Sequence, residues 1–114
     1  MARLTDAETL RRYKSALKEW KVTGYVTWKD IAVASLKKEL PGYTLRAVAE
    51  LMHRYVEGGG EIDRVRERRA QWCEYEYHYD LRLLIEGQKF YIETLLLDDD
   101  PDDLTIHVVS FHPA

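Results

Sequence analysis

Along this chain the apolar positions change period. From residue 6 to about residue 57 they recur three and four apart, and from about residue 74 onward they alternate. A helix returns to one face every 3.6 residues and a strand every two, so the change marks a switch from helical to extended structure. Thr5-x-x-Glu8 has the form of a capping box, and Leu10, Tyr13, Leu17 and Trp20 follow at helical spacing before Gly24, which predicts a first helix over about 6–21. Thr27-x-x-Asp30 opens a second, with Trp28, Ile31, Ala32, Leu36 and Leu40 on one side and Pro41-Gly42 as its stop. Thr44 caps a third, whose stripe is Leu45, Val48, Ala49, Met52, Tyr55 and Val56 and which three glycines close. Over 61–71 the acids come early and the arginines late, the order that complements a helix dipole. That order predicts a short, exposed fourth helix, with a thin stripe of Ile62, Val65 and Trp72.

Strands are predicted over about 74–85, 88–97 and 104–111, with a tight turn at Glu86-Gly87 and an acidic loop before the last. Helices followed by strands indicate an α+β fold: three or four N-terminal helices packed on one face of a C-terminal antiparallel sheet of about three strands. The whole of 1–114 is read as one domain, with a helical half over 1–60 and a short helix plus antiparallel meander over 61–114. A two-residue turn at Glu86-Gly87 sets Asp80 opposite Glu93 and Arg82 opposite Tyr91. Tyr77, Tyr79, Leu81, Leu83, Phe90, Ile92 and Leu96 then share a dry face, and His78, Asp80, Arg82, Lys89, Tyr91 and Glu93 share the other. For the last strand, burying Ile106 and Val108 puts His107 on the polar face near Glu93, and a slip of one residue reverses this.

Acids placed directly across a ladder destabilise it unless a cation, a proton or an arginine compensates, so Asp80 opposite Glu93 is an unexpected choice for a merely structural surface. A histidine beside a carboxylate and an arginine is what acid–base cleavage of a phosphodiester needs: one group takes a proton, another gives one, and a cation stabilises the charged transition state. On this reading Glu93 or His78 is the base, His107 the acid and Arg82 the phosphate clamp. Asp80, Tyr91, Arg64 and Arg68 contact the substrate, and neither a metal nor a cofactor is called for. His53 and His112 read as ordinary surface histidines.

Composition narrows the partners. With 114 residues, 46% hydrophobic and 32% charged, the chain is of globular type, and no apolar run approaches the ~18 residues of a membrane span. The polar start, Ala2-Arg3-Leu4-Thr5-Asp6, lacks the apolar block of a secretory signal, which makes a cytoplasmic protein the expectation. The one cysteine, Cys73, allows neither an internal disulfide nor a multi-Cys zinc site, and it reads as an idle thiol. A net charge of −3 argues against wholesale attraction to nucleic acid. Five of the acids, Asp98, Asp99, Asp100, Asp102 and Asp103, sit together; without them 17 basic residues face 15 acidic ones, and Arg64, Arg66, Arg68 and Arg69 form a local basic run.

Helices, then an antiparallel hairpin, then a final strand: this order and these residue types over 61–112 resemble the RelE and MqsR type of small bacterial ribonuclease toxin, in the wider group that includes barnase and the colicin ribonucleases. The resemblance implies that one side of the sheet packs on the helices while the other cleaves RNA without metal. By position it implies roles for His78, Arg82, Tyr91, Glu93 and His107, a phosphate-contacting region at Arg64 to Arg69, and an antitoxin as protein partner. Three other readings compete. In a non-enzymatic interaction module, Tyr75, Tyr77, Tyr91 and the acidic loop meet a protein, and the exposed last strand suits a homodimer. The second and third helices have helix-turn-helix proportions, with Arg46, Glu50, His53 and Arg54 toward a DNA groove and the hairpin as a wing. His78-x-Asp80 with His107 or His112 superficially matches a two-histidine, one-carboxylate metal triad, which three strands are too few to enclose.

Overall fold

The structure is a computed structural model that describes residues 2–72, 74–100 and 102–114. Cys73, expected to be an idle thiol, and Pro101, in the acidic loop, lie outside the described residues. Along the chain run β1 (Ala2–Arg3), α1 (Ala7–Leu17), β2 (Val26–Trp28), α2 (Asp30–Glu39), α3 (Leu45–Glu57), β3 (Ile62–Arg66), a 3-10 turn (Ala70–Trp72), β4 (Tyr77–Ile85), β5 (Gln88–Leu97) and β6 (Thr105–Pro113). The strands form one sheet in the order β1-β3-β4-β5-β6-β2, antiparallel except for the parallel pair β2 and β6. No helix among the described residues is long and apolar enough to cross a membrane.

The fold is α+β, but three helices and a six-stranded mixed sheet replace the expected three or four helices and about three antiparallel strands. Residues 62–66 are a strand instead of a fourth helix. The dipole preference that favoured a helix is worth only tenths of a kcal/mol, whereas the five-residue ladder with β4 buries Ile62 in the core. Thr27 does not cap a helix. It lies in β2, where its hydroxyl meets His107 Nδ1 at 2.8 Å, and α2 starts at Asp30 with no side-chain cap at Lys29. The first helix is shorter than expected because Trp20 and Val22 turn back onto the carbonyls of Leu17 and Glu19, and Gly24 (φ 99°) releases the chain toward β2. Its cap is Asp6, whose carboxylate accepts from Thr9 N at 3.0 Å, while Thr44 caps α3 through Ala47 N as its position suggests.

The β4–β5 hairpin has the predicted two-residue turn. Glu86 (φ 54°) and Gly87 (φ 78°) both adopt the left-handed conformation that matches the twist of the flanking strands, and Tyr43 donates to Glu86 Oε1 at 2.8 Å. Being flanked by β3 on one side and β6 on the other, this hairpin is the centre of the sheet and not a free wing. One side chain in two along β3 to β6 enters the core with the helices: Ile62, Tyr79, Leu81, Leu83, Phe90, Ile92, Leu96, Ile106, Val108 and Phe111 meet Tyr13, Leu17, Leu36, Val48, Met52 and Val56. Phe90 and Phe111 stack at 4.9 Å, and Tyr13 meets Tyr79 edge-on at 5.7 Å.

Two polar groups cross this core. Thr94 Oγ1 donates to the Tyr79 carbonyl at 2.7 Å, so its lone pair accepts the Tyr13 hydroxyl, also at 2.7 Å. Thr94→Val strips both partners at once and should cost about 2–3 kcal/mol, against about 1 kcal/mol for Tyr13→Phe, which leaves Thr94 bonded. Urea unfolding of the two variants checks that order.

Candidate functional site

Strand parity sends His78, Asp80 and Arg82 of β4, and Tyr91 and Glu93 of β5, to the side away from the helical core, and Asp63 of β3 joins them. The registers Asp63 with Asp80 and Asp80 with Glu93 set three carboxylates in one row across three strands. Neighbouring like charges on a ladder repel, so each requires a compensating group. Arg82 pairs with Asp63, and Arg69 Nη1 lies 3.2 Å from Glu93 Oε2. Asp80, in the middle, receives no arginine. It is only 4% exposed, with His78 Nε2 at 3.6 Å from its Oδ1 and the Tyr91 hydroxyl bonded to its carboxylate. Burial lifts its pKa to about 6, with Glu93 adding to the rise and His78 and Tyr91 opposing it.

The polar face is not left open. After β3 the chain folds back over it, so that Glu67, Arg69 and Trp72 touch groups on β4 to β6. Glu67 accepts the backbone amides of Arg68 and Arg69 at 3.0 and 2.9 Å and the Arg69 guanidinium at 2.9 and 2.8 Å. These bonds, the guanidinium first, hold its carboxyl at about 2 although the side chain is 1% exposed. Glu67 Oε2 stands 3.2 Å from His78 Nδ1 without the alignment of a hydrogen bond.

The sequence-predicted residues therefore divide. His78, Asp80, Arg82, Tyr91 and Glu93 come together. His107 takes the polar side, with Ile106 and Val108 buried, but it lies opposite Leu95 and not opposite Glu93. A bulge at Glu93/Thr94 gives β6 an additional residue, Val109, so that Ser110 faces Glu93. His107 instead bonds Thr27 and packs on Trp72 at 5.7 Å, and burial, then Lys29, depress its pKa. Arg64 falls on the helix side, opposite Tyr79 in register, with its guanidinium 4.4 Å from the Tyr77 ring centre. Arg68 is exposed in the segment that crosses the face. Of the DNA-facing set, Arg46 stacks on Trp20 and Arg54 pairs with Glu50. Sequence reasoning missed Asp63, Glu67, Lys29 and Ser110, and it placed Arg69 in the basic run without its contact to Glu93.

Two features have chemical potential. His78, Asp80 and Glu93 each offer one metal-ligating atom, all within 4.8 Å of one another. A cavity of about 380 Å³ opens beside them between α2 and β6; its polar lining is Lys29, Ser35, Arg69, Ser110 and His112, with no carboxylate. At its rim the His112 ring lies parallel to Tyr91, 2° apart in plane and 5.6 Å centre to centre. No family model, no curated protein and no solved structure matches the chain.

The raised pKa of Asp80 fixes a sign. The folded state holds this proton more tightly than the unfolded chain, whose value is near 3.8, so a penalty exists above about pH 6 and vanishes as pH falls below 4. In metal-free buffer, Asp80→Asn should stabilise the protein by about 2 kcal/mol at pH 7.5 and by almost nothing at pH 4. Paired urea melts at the two pH values measure the difference.

Proposed function

We propose that the protein is an RNA-binding domain, in which a single strand passes the exposed end of the polar face at Tyr91 and His112 with a phosphate in the cavity between α2 and β6. The observation that carries this reading is the cavity lining: two cations, Lys29 and Arg69, a hydroxyl at Ser110 and an exposed imidazole at His112, with no acid among them. Arg69 is shared with Glu67 and Glu93, so Lys29 supplies the cavity's uncommitted positive charge. Single strands are held by phosphate contacts combined with base stacking on rings, and the parallel His112 and Tyr91 rings stand beside the cations as such a platform. Arg69 links the cavity to Glu93, and so to the cluster of His78 and Asp80.

Arg82, first assigned as the clamp, is engaged by Asp63, and Arg69 by Glu67 and Glu93, which gives Lys29 the leading phosphate role with Arg69 beside it. Fluorescence anisotropy with a labelled single-stranded RNA should show binding that weakens with salt. Lys29→Ala should lower affinity about fivefold and reduce the log–log salt slope by about 1, while Lys37→Ala, on the exposed side of α2, leaves both unchanged. His112→Ala should lose about 1 kcal/mol irrespective of base sequence. Absence of salt-sensitive binding would overturn the proposal, and gel analysis of the same mixtures reads cleavage directly.

A further inference from the structure

His78, Asp80 and Glu93 bring one imidazole nitrogen and two carboxylate oxygens to within 4.8 Å of one another. Ligands on opposite sides of a first-row ion bonded at about 2.1 Å stand about 4.2 Å apart, so these atoms need only a small closure to share one ion. A cluster of acids alone would not indicate a ligand, but two independent features do. Asp80 is 96% removed from solvent by its 4% exposure, and its Oδ1 has no hydrogen-bond partner, an arrangement that a fold tolerates poorly. Behind the imidazole, Glu67 Oε2 lies 3.2 Å from His78 Nδ1, and Glu67 is itself held by Arg69 and two backbone amides. A small rotation of the ring would align Nδ1–H with that carboxylate, and with the proton on Nδ1 the Nε2 lone pair is left for an ion. Nε2 then faces Asp80 Oδ1 across 3.6 Å, two acceptors with no hydrogen between them.

Charge points the same way. Asp63, Glu67, Asp80 and Glu93 contribute four carboxylates, and Arg69 and Arg82 two guanidiniums, which leaves the two negative charges that one divalent ion cancels. We infer that His78, Asp80 and Glu93 bind a divalent first-row metal ion, with Glu67 as the positioning residue for His78. One imidazole beside two carboxylates selects the Mn²⁺-to-Zn²⁺ series over Ca²⁺, which prefers an all-oxygen shell. Arg69 holds Glu93 through Oε2, and the carboxylate retains a second oxygen for the ion. Three protein ligands leave coordination positions for water or a phosphate oxygen, and the bound ion removes the acid excess that a nucleic acid would otherwise meet. That last role rests on the RNA reading; the metal site does not.

The test is calorimetric titration of the full chain, stripped with chelator and dialysed, with Zn²⁺ alone and with Mn²⁺ alone, without RNA. One ion per chain is expected, Zn²⁺ binding tighter than Mn²⁺ and both at least tenfold tighter than Ca²⁺. His78→Ala and Asp80→Asn should each weaken binding at least tenfold. Asp80→Asn is isosteric, and its circular dichroism spectrum establishes that the loss is not unfolding. A variant with Asp99→Asn and Asp100→Asn in the acidic loop should bind as wild type does. No saturable uptake of either ion at millimolar concentration, or uptake indifferent to both substitutions, overturns the inference. Lys29→Ala retains all three donors and should keep metal affinity while losing RNA affinity. Metal uptake without RNA binding thus sinks only the RNA reading, and RNA binding in chelator without metal uptake sinks only this one.

Discussion

Electrostatic repulsion among three adjacent carboxylates organises the polar half of this protein. Asp63, Asp80 and Glu93 stand in register on β3, β4 and β5, and their compensation dictates where other parts of the chain go. Arg82 is drawn along the sheet to Asp63. Arg69 must come from outside the sheet, which ties the segment after β3 down over the face and carries Glu67 to His78. Because the outer acids take the two arginines, the centre is left with a buried carboxylate beside an imidazole, a location where solvent no longer screens the interaction. A surface ion pair is worth little in stability; this row matters because its burial makes every missing partner expensive.

The opposite face obeys a simpler rule, alternation, and this is why it was legible in the sequence. Tyr79, Leu81, Leu83, Phe90, Ile92 and Leu96 could be assigned to the core, and Asp80 to a position opposite Glu93, because the Glu86-Gly87 turn fixes register for both long strands. The helix of Leu45–Glu57 was legible for the same kind of reason, a stripe with one clear face. What escaped was everything decided by pairing at a distance. Val26–Trp28 is too short to show a period, and it is a strand only because β6 offers it an edge. Ile62–Arg66 carries charges whose order suits a helix, and the ladder with β4 outweighs that local preference.

The site divides along the same line. Residues on β4 and β5 could be grouped from parity alone. His107 could be given a face but not a neighbour, since a single inserted residue, Val109, moves Ser110 into the place opposite Glu93. Arg64 was placed in a phosphate-contacting run by a helical reading of what is a strand, Arg69 was named in that run without its neighbours, and Lys29 was not named, because their placement depends on how an irregular segment crosses the face and on where α2 begins. Long-range placement of side chains from loops is not encoded in any local period.

One further property follows from the way the sheet is bounded. Its two outermost strands, β1 at one margin and β2 at the other, are two and three residues long and both belong to the first thirty residues of the chain. The rest of the β6 margin is engaged by α2, where the Ser35 hydroxyl donates to the Phe111 carbonyl. The N-terminal part of the polypeptide thus also covers the outer sides of β3 and β6, and short terminal strands of this type deny a template to neighbouring chains. The residues that close the sheet are therefore synthesised first, yet they become strands only when β3 and β6 arrive to pair with them, so the margins are sealed in the same step that completes the sheet.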